Sequence, residues 1–577
     1  MKLWQALALI TLVWAGLYLP YLGSQELRGE EARRILPGRT MIETGDWVVA
    51  RIGGEVYNRK PPLINWCIAA SFIVTGVENE WTARLPSVLW LLAFSVAALL
   101  LLKKRFGIWR AACVPLFFLS TLGMLDKGRM AEIEAMYIAQ FGIAFVMWAV
   151  WWAEGKKWLA YVGSGLFLGI AMLAKGPVHL MFWYPILLFA LWRARALKEL
   201  IHPAHLVGVV LTYGIFLPWL LANVSQVGSS EETSGVWWQQ LSERVSYVNI
   251  DWKSWLEHPF QIVINFLPWS ILLIWCWWRL TPGKMSDRVR AGFQKVARLP
   301  LIGKLFRLLP SEPAVAEGEL ENVRSAPRED RWAAVIRGSQ FGILLGVGLL
   351  LITPEGLPRY TMPLFGPASV LLVDLLGRMP RSSIQWAEGY WRKANLLFVL
   401  FFIGMAVIAP FGVAMAGYPI FIPGILLSLI VIGAAFYYLR QHPEWPPLVG
   451  SSIALAAGLT VVLTFLSPIK ETREKYRPDG QEMMAATPDI DRPLTIFAPK
   501  HIRFLFYVKR PYEEVGSRGP LPERSGYFIM REKDLDRQSI ERYFKLFDRT
   551  EIGRWTWEGK DFVVYDLELK EPRPDSP

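Results

Sequence analysis

Long apolar runs broken by short charged turns recur along most of this chain. A span of roughly 20 apolar residues crosses about 30 Å of hydrocarbon, and runs of that kind start near residues 3, 81, 111, 131, 158, 178, 206, 260, 333, 361, 395, 419 and 448. The pattern predicts about thirteen transmembrane helices, an all-α polytopic membrane body over residues 1–468. The first run, Leu3 to Leu22, has only Lys2 before it and no small-residue cleavage pattern after it, so it reads as a retained span and not as a removed signal peptide. After Pro468 the pattern changes. Residues 469–577 lose the long apolar runs and gain short strand-like ones, Leu494 to Ala498, Gly526 to Met530 and Phe562 to Leu567, which predicts a small C-terminal soluble α/β domain. No internal repeat at a fixed period appears, so a repeat-built transporter gains no support.

Charge sorts the loops between the spans. With the N-terminus cytoplasmic, the inner loops are Lys103-Lys104-Arg105, Lys156-Lys157, Arg193 to His205, Arg279 to Arg331, Arg378 to Lys393 and the turn at Arg440. Each carries Lys or Arg, as the positive-inside rule requires. The same count places outside a first loop over residues 23–80, a large loop over 223–259, and the domain 469–577; the loop 280–332 is cytoplasmic. That inner loop joins a basic amphipathic stretch to an acidic, Pro- and Ala-containing run near Ser311 to Glu321, a surface helix followed by a flexible linker. The net charge of +12 therefore reflects topology, and nucleic acid is excluded as a partner. The 28 Trp suit interfacial belts. Cys67, Cys113 and Cys276, like the six scattered His, lack metal-ligand spacing, so no metal site is indicated.

The first outer loop breaks the charge rule. It carries Arg28, Arg33, Arg34, Arg39, Arg51, Arg59 and Lys60 beside Glu30, Glu31, Glu43 and Asp46, an excess of cations that topology does not explain. Carboxylates and cations together at a membrane surface have a chemical use: a carboxylate deprotonates an acceptor while Arg and Lys hold a phosphate. A second acid, Glu134, stands near the top of the fourth span, where a carboxylate is costly and is a functional candidate by default. Asp126 and Glu132 compete with it, and Arg129 is a possible ion-pair partner. Structural alternatives stand beside each role. Glu30 and Glu31 also fit the first turn of a surface helix, Lys60 a snorkelling cation, and Lys175 and Arg359 anchors at span ends.

Four segments of the loop carry a resemblance: Glu30-Glu31-Ala32-Arg33, Glu43-Thr44-Gly45-Asp46-Trp47, Tyr57-Asn58-Arg59-Lys60-Pro61-Pro62-Leu63 and Ala83-Arg84-Leu85-Pro86-Ser87. In order and spacing they resemble the first-loop signature of the bacterial aminoarabinose transferase and protein O-mannosyltransferase superfamily, polyprenyl-phosphate-dependent glycosyltransferases of the GT-C class. The likeness continues in Leu173-Ala174-Lys175-Gly176-Pro177, in His258-Pro259 with Leu267-Pro268-Trp269, and in Arg359-Tyr360-Thr361-Met362-Pro363. It covers roughly the first 370 residues, and its specificity lies in the combination.

The resemblance implies a GT-C-like fold and an enzyme that moves a sugar from a polyprenyl-phosphate donor to an envelope lipid such as lipid A, a protein Ser/Thr or a glycan end, without a required cofactor. In that family an Asp opens the acid-acid-x-Arg motif as general base; the matching residue here is Glu30, with Glu31 beside it. Glu134 likewise stands where relatives carry Asp, and the implied role is to orient the sugar or acceptor hydroxyl. Arg33 and Lys60, then Lys175 and Arg359, are the implied phosphate contacts. The implied location is the cytoplasmic (inner) membrane, multi-pass, with active site and C-terminal domain extracytoplasmic. Pro37-Gly38 predicts an interruption of the juxtamembrane helix that the family builds there. The alternative function is a transporter or flippase of lipid-linked sugars, which calls for ionisable groups at mid-membrane, whereas the candidates here lie mostly in outer loops.

Overall fold

The structure is a computed structural model. It describes residues 1–227, 252–280, 330–415 and 447–570, apart from 53–54, 58, 354–356, 472–475, 498–502, 516–519 and 558–559, with single residues between 416 and 446. The chain divides into two compact units: Met1–Leu22, Ser87–Leu220 and Trp237–Pro468 form one, while Gly23–Pro86, Leu221–Val236 and Ile469–Pro577 form the other. The first loop, expected to belong with the transmembrane body, thus shares a unit with the C-terminal tail.

The first unit is helical throughout its described residues. Its helices are α1 (Leu3–Tyr18), most of α4 (Glu80–Leu119), α5 (Leu122–Lys127), α6 (Ile133–Ala153), α7 (Lys157–Lys175), α8 (Leu180–Arg193), α9 (Pro203–Val227, entering the second unit), α10 (Trp252–Asn265), α11 (Trp269–Leu280), α12 (Arg331–Leu351), α13 (Phe365–Arg378), α14 (Arg381–Met415) and α15 (Pro447–Glu471). Among the described residues seven helical segments are long and apolar enough to cross a membrane, and the pair around Pro268, bent by 91°, makes an eighth. The protein is a multi-pass membrane protein. The two spans expected from residues 81 and 111 form one run broken at Gly107, whose φ of 75° and ψ of 161° are not helical. Helices α1 and α8 start where expected but have 16 and 14 residues, lengths of about 24 and 21 Å at 1.5 Å per residue. The start expected near 419 and the inner loop with its basic helix fall largely or wholly outside the described residues.

Helix α6 is apolar on every side, which suits a helix enclosed by others. It packs on α7, α12 and α13. Helices α7 and α9 meet backbone to backbone: a Cβ on Gly165 would sit 2.4 Å from the Gly208 carbonyl oxygen, the close approach that small residues allow between membrane helices.

The second unit joins the first loop to the tail. Its loop part has α2 (Ala32–Thr44), a short antiparallel pair β1 (Arg51–Ile52) and β2 (Glu55–Val56), and α3 (Leu63–Thr75). The interruption expected at Pro37-Gly38 does not occur, for α2 runs through both residues. Pro37 removes one helical donor, yet the neighbouring carbonyl of Arg34 accepts a 2.7 Å hydrogen bond from Asn65 Nδ2 on α3. Gly38 then lets the two helices touch, because a Cβ there would lie 3.0 Å from the Asn65 carbonyl oxygen and 3.5 Å from the Ala69 nitrogen.

The tail part has α16 (Tyr476–Ala486), α17 (Gln538–Phe544) and five strands, β3 (Leu494–Phe497), β4 (Glu513–Val515), β5 (Gly526–Arg531), β6 (Phe547–Trp557) and β7 (Lys560–Leu569). The sheet order is β4-β3-β5-β7-β6, parallel on the β4-β3-β5 side and antiparallel on the β5-β7-β6 side. Every residue of β5 is buried, as a central strand covered on both faces requires. Phe528, Tyr543, Phe544, Phe547 and Tyr565 build the core between sheet and α17. Tail and loop are joined by Arg39 of α2. Its guanidinium donates to the carbonyls of Leu505 (3.1 Å) and Phe506 (3.0 Å) and pairs with Glu78.

Gly38→Ala is expected to destabilise the protein by about 1–3 kcal/mol, since backbone atoms cannot yield to the added methyl; chemical unfolding in detergent or nanodiscs measures it.

Candidate active site

The start of α2 presents the two adjacent acids in opposite ways. Glu31 is 0% exposed, and its carboxylate accepts from Arg84 Nε at 2.7 Å, from Arg84 Nη2 at 2.8 Å and from the Arg28 backbone N–H at 2.8 Å. Arg84 uses its remaining N–H groups on the carbonyls of Gln25 (3.0 Å) and Glu26 (3.1 Å). One guanidinium thus staples both ends of the segment 25–31, with Gly29 at φ 56° between them. This is the fork geometry that only Arg supplies. Glu30 differs. Its side chain is 39% exposed, and both its oxygens accept from Arg33 Nη1 at 2.8 Å one helical turn away, with Arg34 at 3.9 Å. Lys60, half-buried, follows the β1–β2 pair just before α3.

In the first unit the other candidates converge. Glu134 lies in the first turn of α6 and Lys175 in the last turn of α7, so each charge complements its helix dipole. Lys175 Nζ donates to Glu134 Oε1 at 3.2 Å, and Arg359 Nε, from the 3-10 turn Pro358–Leu364, stands 3.7 Å from the same oxygen. The Lys175 ammonium is flanked by the rings of Tyr360 at 4.9 Å and Tyr137 at 5.4 Å, a cation–π arrangement that holds a charge without neutralising it.

The competitors have other occupations. Glu132 pairs with Lys127 at 3.1 Å, and Asp126 stands 3.7 Å from the same ammonium. Arg129 donates to the carbonyls of Leu17 and Pro20, tying α1 to the α5–α6 turn. Of the tryptophans in the large loop, Trp255 donates to the Leu351 carbonyl at 2.7 Å, while Trp237 and Trp238 lie outside the described residues. Asn223 is buried, with its Nδ2 3.3 Å from the Val48 carbonyl. The candidate residues therefore form two groups, Glu30 with Arg33 in the second unit and Glu134, Lys175 and Arg359 in the first. Arg84 and Tyr360 stood in the quoted segments without a role of their own, and Tyr137 was not singled out. Arg84 also carried a physical signal, an Arg set inside the apolar start of a span, where an unpaired charge is costly.

The two acids are expected to part under substitution. Glu31→Gln leaves the buried Arg84 without its anion and is expected to cost about 3–5 kcal/mol, whereas Glu30→Gln, at a half-exposed pair, changes stability by less than about 1 kcal/mol; thermal unfolding of the two variants side by side measures the contrast.

The chain is similar to known proteins in sequence and in fold. A family model described as dolichyl-phosphate-mannose-protein mannosyltransferase matches residues 59–222. The undecaprenyl phosphate-alpha-4-amino-4-deoxy-L-arabinose arabinosyl transferase 2 of Pseudomonas fluorescens is 25% identical over 275 residues, 46% of this chain and 44% of that protein. The corresponding transferase of Serratia proteamaculans is 25% identical over 441 residues, 69% of this chain and 76% of its own. The chain thus spans less than half of the first relative and about three quarters of the second. The crystal structure of ArnT from Cupriavidus metallidurans bound to undecaprenyl phosphate matches with a TM-score of 0.64 at 17% identity, covering 99% of both chains. In sequence the chain is similar to undecaprenyl phosphate-aminoarabinose transferases, and in fold it is similar to ArnT.

Proposed function

We propose that the chain is a glycosyltransferase that moves a sugar from a polyprenyl-phosphate donor to an acceptor on the outer side of the cytoplasmic membrane. The observation that carries the reading is the contrast at the start of α2: of two adjacent acids, one is sealed in a clamp and the other, Glu30, keeps a reachable carboxylate. The relatives act on undecaprenyl phosphate-linked aminoarabinose by name, which supports a polyprenyl-phosphate donor here.

The mechanism is a direct displacement. Glu30 takes the proton of the acceptor hydroxyl, the acceptor oxygen bonds to the anomeric carbon, and the bond from that carbon to the phosphate oxygen breaks as the lipid phosphate departs with its electron pair. Arg33 holds the Glu30 carboxylate in one orientation and, with Lys60, meets the charge that develops on the phosphate. Lys175 and Arg359 are further phosphate contacts, held in register by Glu134 and the two tyrosine rings. Glu31 belongs to the framework and supports Glu30 from below. An envelope lipid, a protein or a glycan serves as acceptor, and the N-terminus is cytoplasmic while the site and the tail face outward.

The test is transfer of labelled sugar from a polyprenyl-phosphate donor to an envelope extract by the purified protein in nanodiscs. Donor-dependent labelling by the wild type and its loss in Glu30→Gln, a drop of at least about a hundredfold, is the expected result; full labelling by the variant removes Glu30 from the role of base. Lys175→Ala is expected to raise the donor KM about tenfold or more, and an unchanged donor dependence would take Lys175 off the phosphate.

A further inference from the structure

The tail reaches back to the segment that carries Glu30 through a ring of polar contacts that the mechanism above does not use. The buried Leu27 backbone N–H, three residues before Glu30, donates to the Tyr507 hydroxyl at 2.9 Å. Tyr507 closes the 3-10 turn Phe504–Tyr507 of the tail, and the Glu80 carboxylate lies near enough to push its phenol up. Glu80 accepts from Arg477 Nη2 at 2.7 Å, and the Arg477 backbone N–H donates to Glu26 Oε1 at 2.6 Å, which brings the path back to the residue beside Leu27. The Arg477 guanidinium also lies 5.8 Å from the centre of the Tyr507 ring. Burial, with the charge of Glu80, pushes the Tyr507 phenol well above its ordinary range, so at neutral pH it keeps its proton while its oxygen accepts from Leu27.

Two of the five members, Tyr507 and Arg477, come from the tail; Glu26, Leu27 and Glu80 come from the first loop. All five lie within the second compact unit. Arg84 fixes the same segment through the carbonyls of Gln25 and Glu26, whereas the ring fixes it through the Leu27 N–H and the Glu26 carboxylate. Opposite polar groups of one short segment are thus held from two sides. A carboxylate must be placed to within about 0.5 Å to act as a general base, and the segment turns at Gly29, whose φ is 56°, directly before Glu30.

From this geometry we infer that the C-terminal tail is part of the catalytic apparatus, and that Tyr507 and Arg477 are positioning residues that set Glu30 through the segment 25–31. The inference rests on the assignment of Glu30 as base. It predicts a change in the chemical step more than in donor binding, since these contacts hold the segment that carries the base.

The experiment uses the full chain in nanodiscs and compares wild type with Tyr507→Phe, which removes one hydroxyl and keeps the ring, in two readouts: sugar transfer, and amide hydrogen exchange over residues 24–31. The expected result is a kcat lowered about tenfold or more, a donor KM within about twofold of wild type, and faster exchange at the Leu27 amide. Arg477→Lys, which keeps the charge on Glu80 and loses the fork, is expected to fall between the two and serves in place of Tyr507→Phe if that variant does not fold. Wild-type kcat despite faster exchange overturns the inference, as does a slower reaction with exchange over 24–31 unchanged. Absence of transfer by the wild type itself strikes the proposed function; exchange then still decides whether the ring holds the segment, and an unchanged Leu27 amide overturns that too.

Discussion

A carboxylate taken out of water has to be met by a cation or by several donors, because the unpaired charge costs several kcal/mol in a low-dielectric interior. In this chain that requirement joins segments far apart in sequence. Glu31 is met by Arg84, Glu80 by Arg477, and Glu134 by Lys175 and Arg359. Glu199 gathers Trp152, Tyr161, Lys157 and Arg331, which draws the ends of α6, α7 and α12 onto the turn before α9. Asp374 holds Trp332 and Arg378 in the same manner. The apolar surfaces of the helices are interchangeable in kind and the ion pairs are not, so the pairs specify which helix end meets which.

The same constraint separates framework from chemistry. A carboxylate whose oxygens are all occupied by fixed donors inside the protein has no capacity left for a substrate proton, and Glu31 is in that state. Glu30 is half-exposed and pairs with Arg33 one turn away, so its oxygens can exchange that partner for an acceptor hydroxyl at modest cost. At Glu134 one carboxylate oxygen meets two cations that arrive from separate elements.

Backbone features set the positions of these groups as much as the charges do. Pro37 was expected to interrupt α2, and it does not: the helix runs through it, while Gly38 admits α3 to backbone contact. The continuous helix carries Glu30 and Arg33 at one end and, further along, Arg39, which reaches the tail. Loop, helix and tail thus act as one body, which explains why the loop segregates with the tail and not with the spans it connects.

Apolar run length and loop charge were enough to establish a multi-pass membrane protein, the change of character after Pro468 and the presence of strands at Leu494, Gly526 and Phe562, because hydrophobic periodicity is a local property that each segment carries by itself. Strands β4 and β6 were missed for the same reason: Glu513–Val515 is short, Phe547–Trp557 is polar, and both lie at sheet edges where alternation is weak. The charge excess of the first loop marked Glu30 and Glu31, the cost of an acid in a span marked Glu134, and the resemblance added Lys175 and Arg359. Which of them is sealed, which is reachable, and which tail residue holds the loop were decided only in three dimensions. Burial and pairing depend on partners 41 to 480 positions away, as Lys175 is from Glu134 and Tyr507 from Leu27, and no local pattern of residues carries that information.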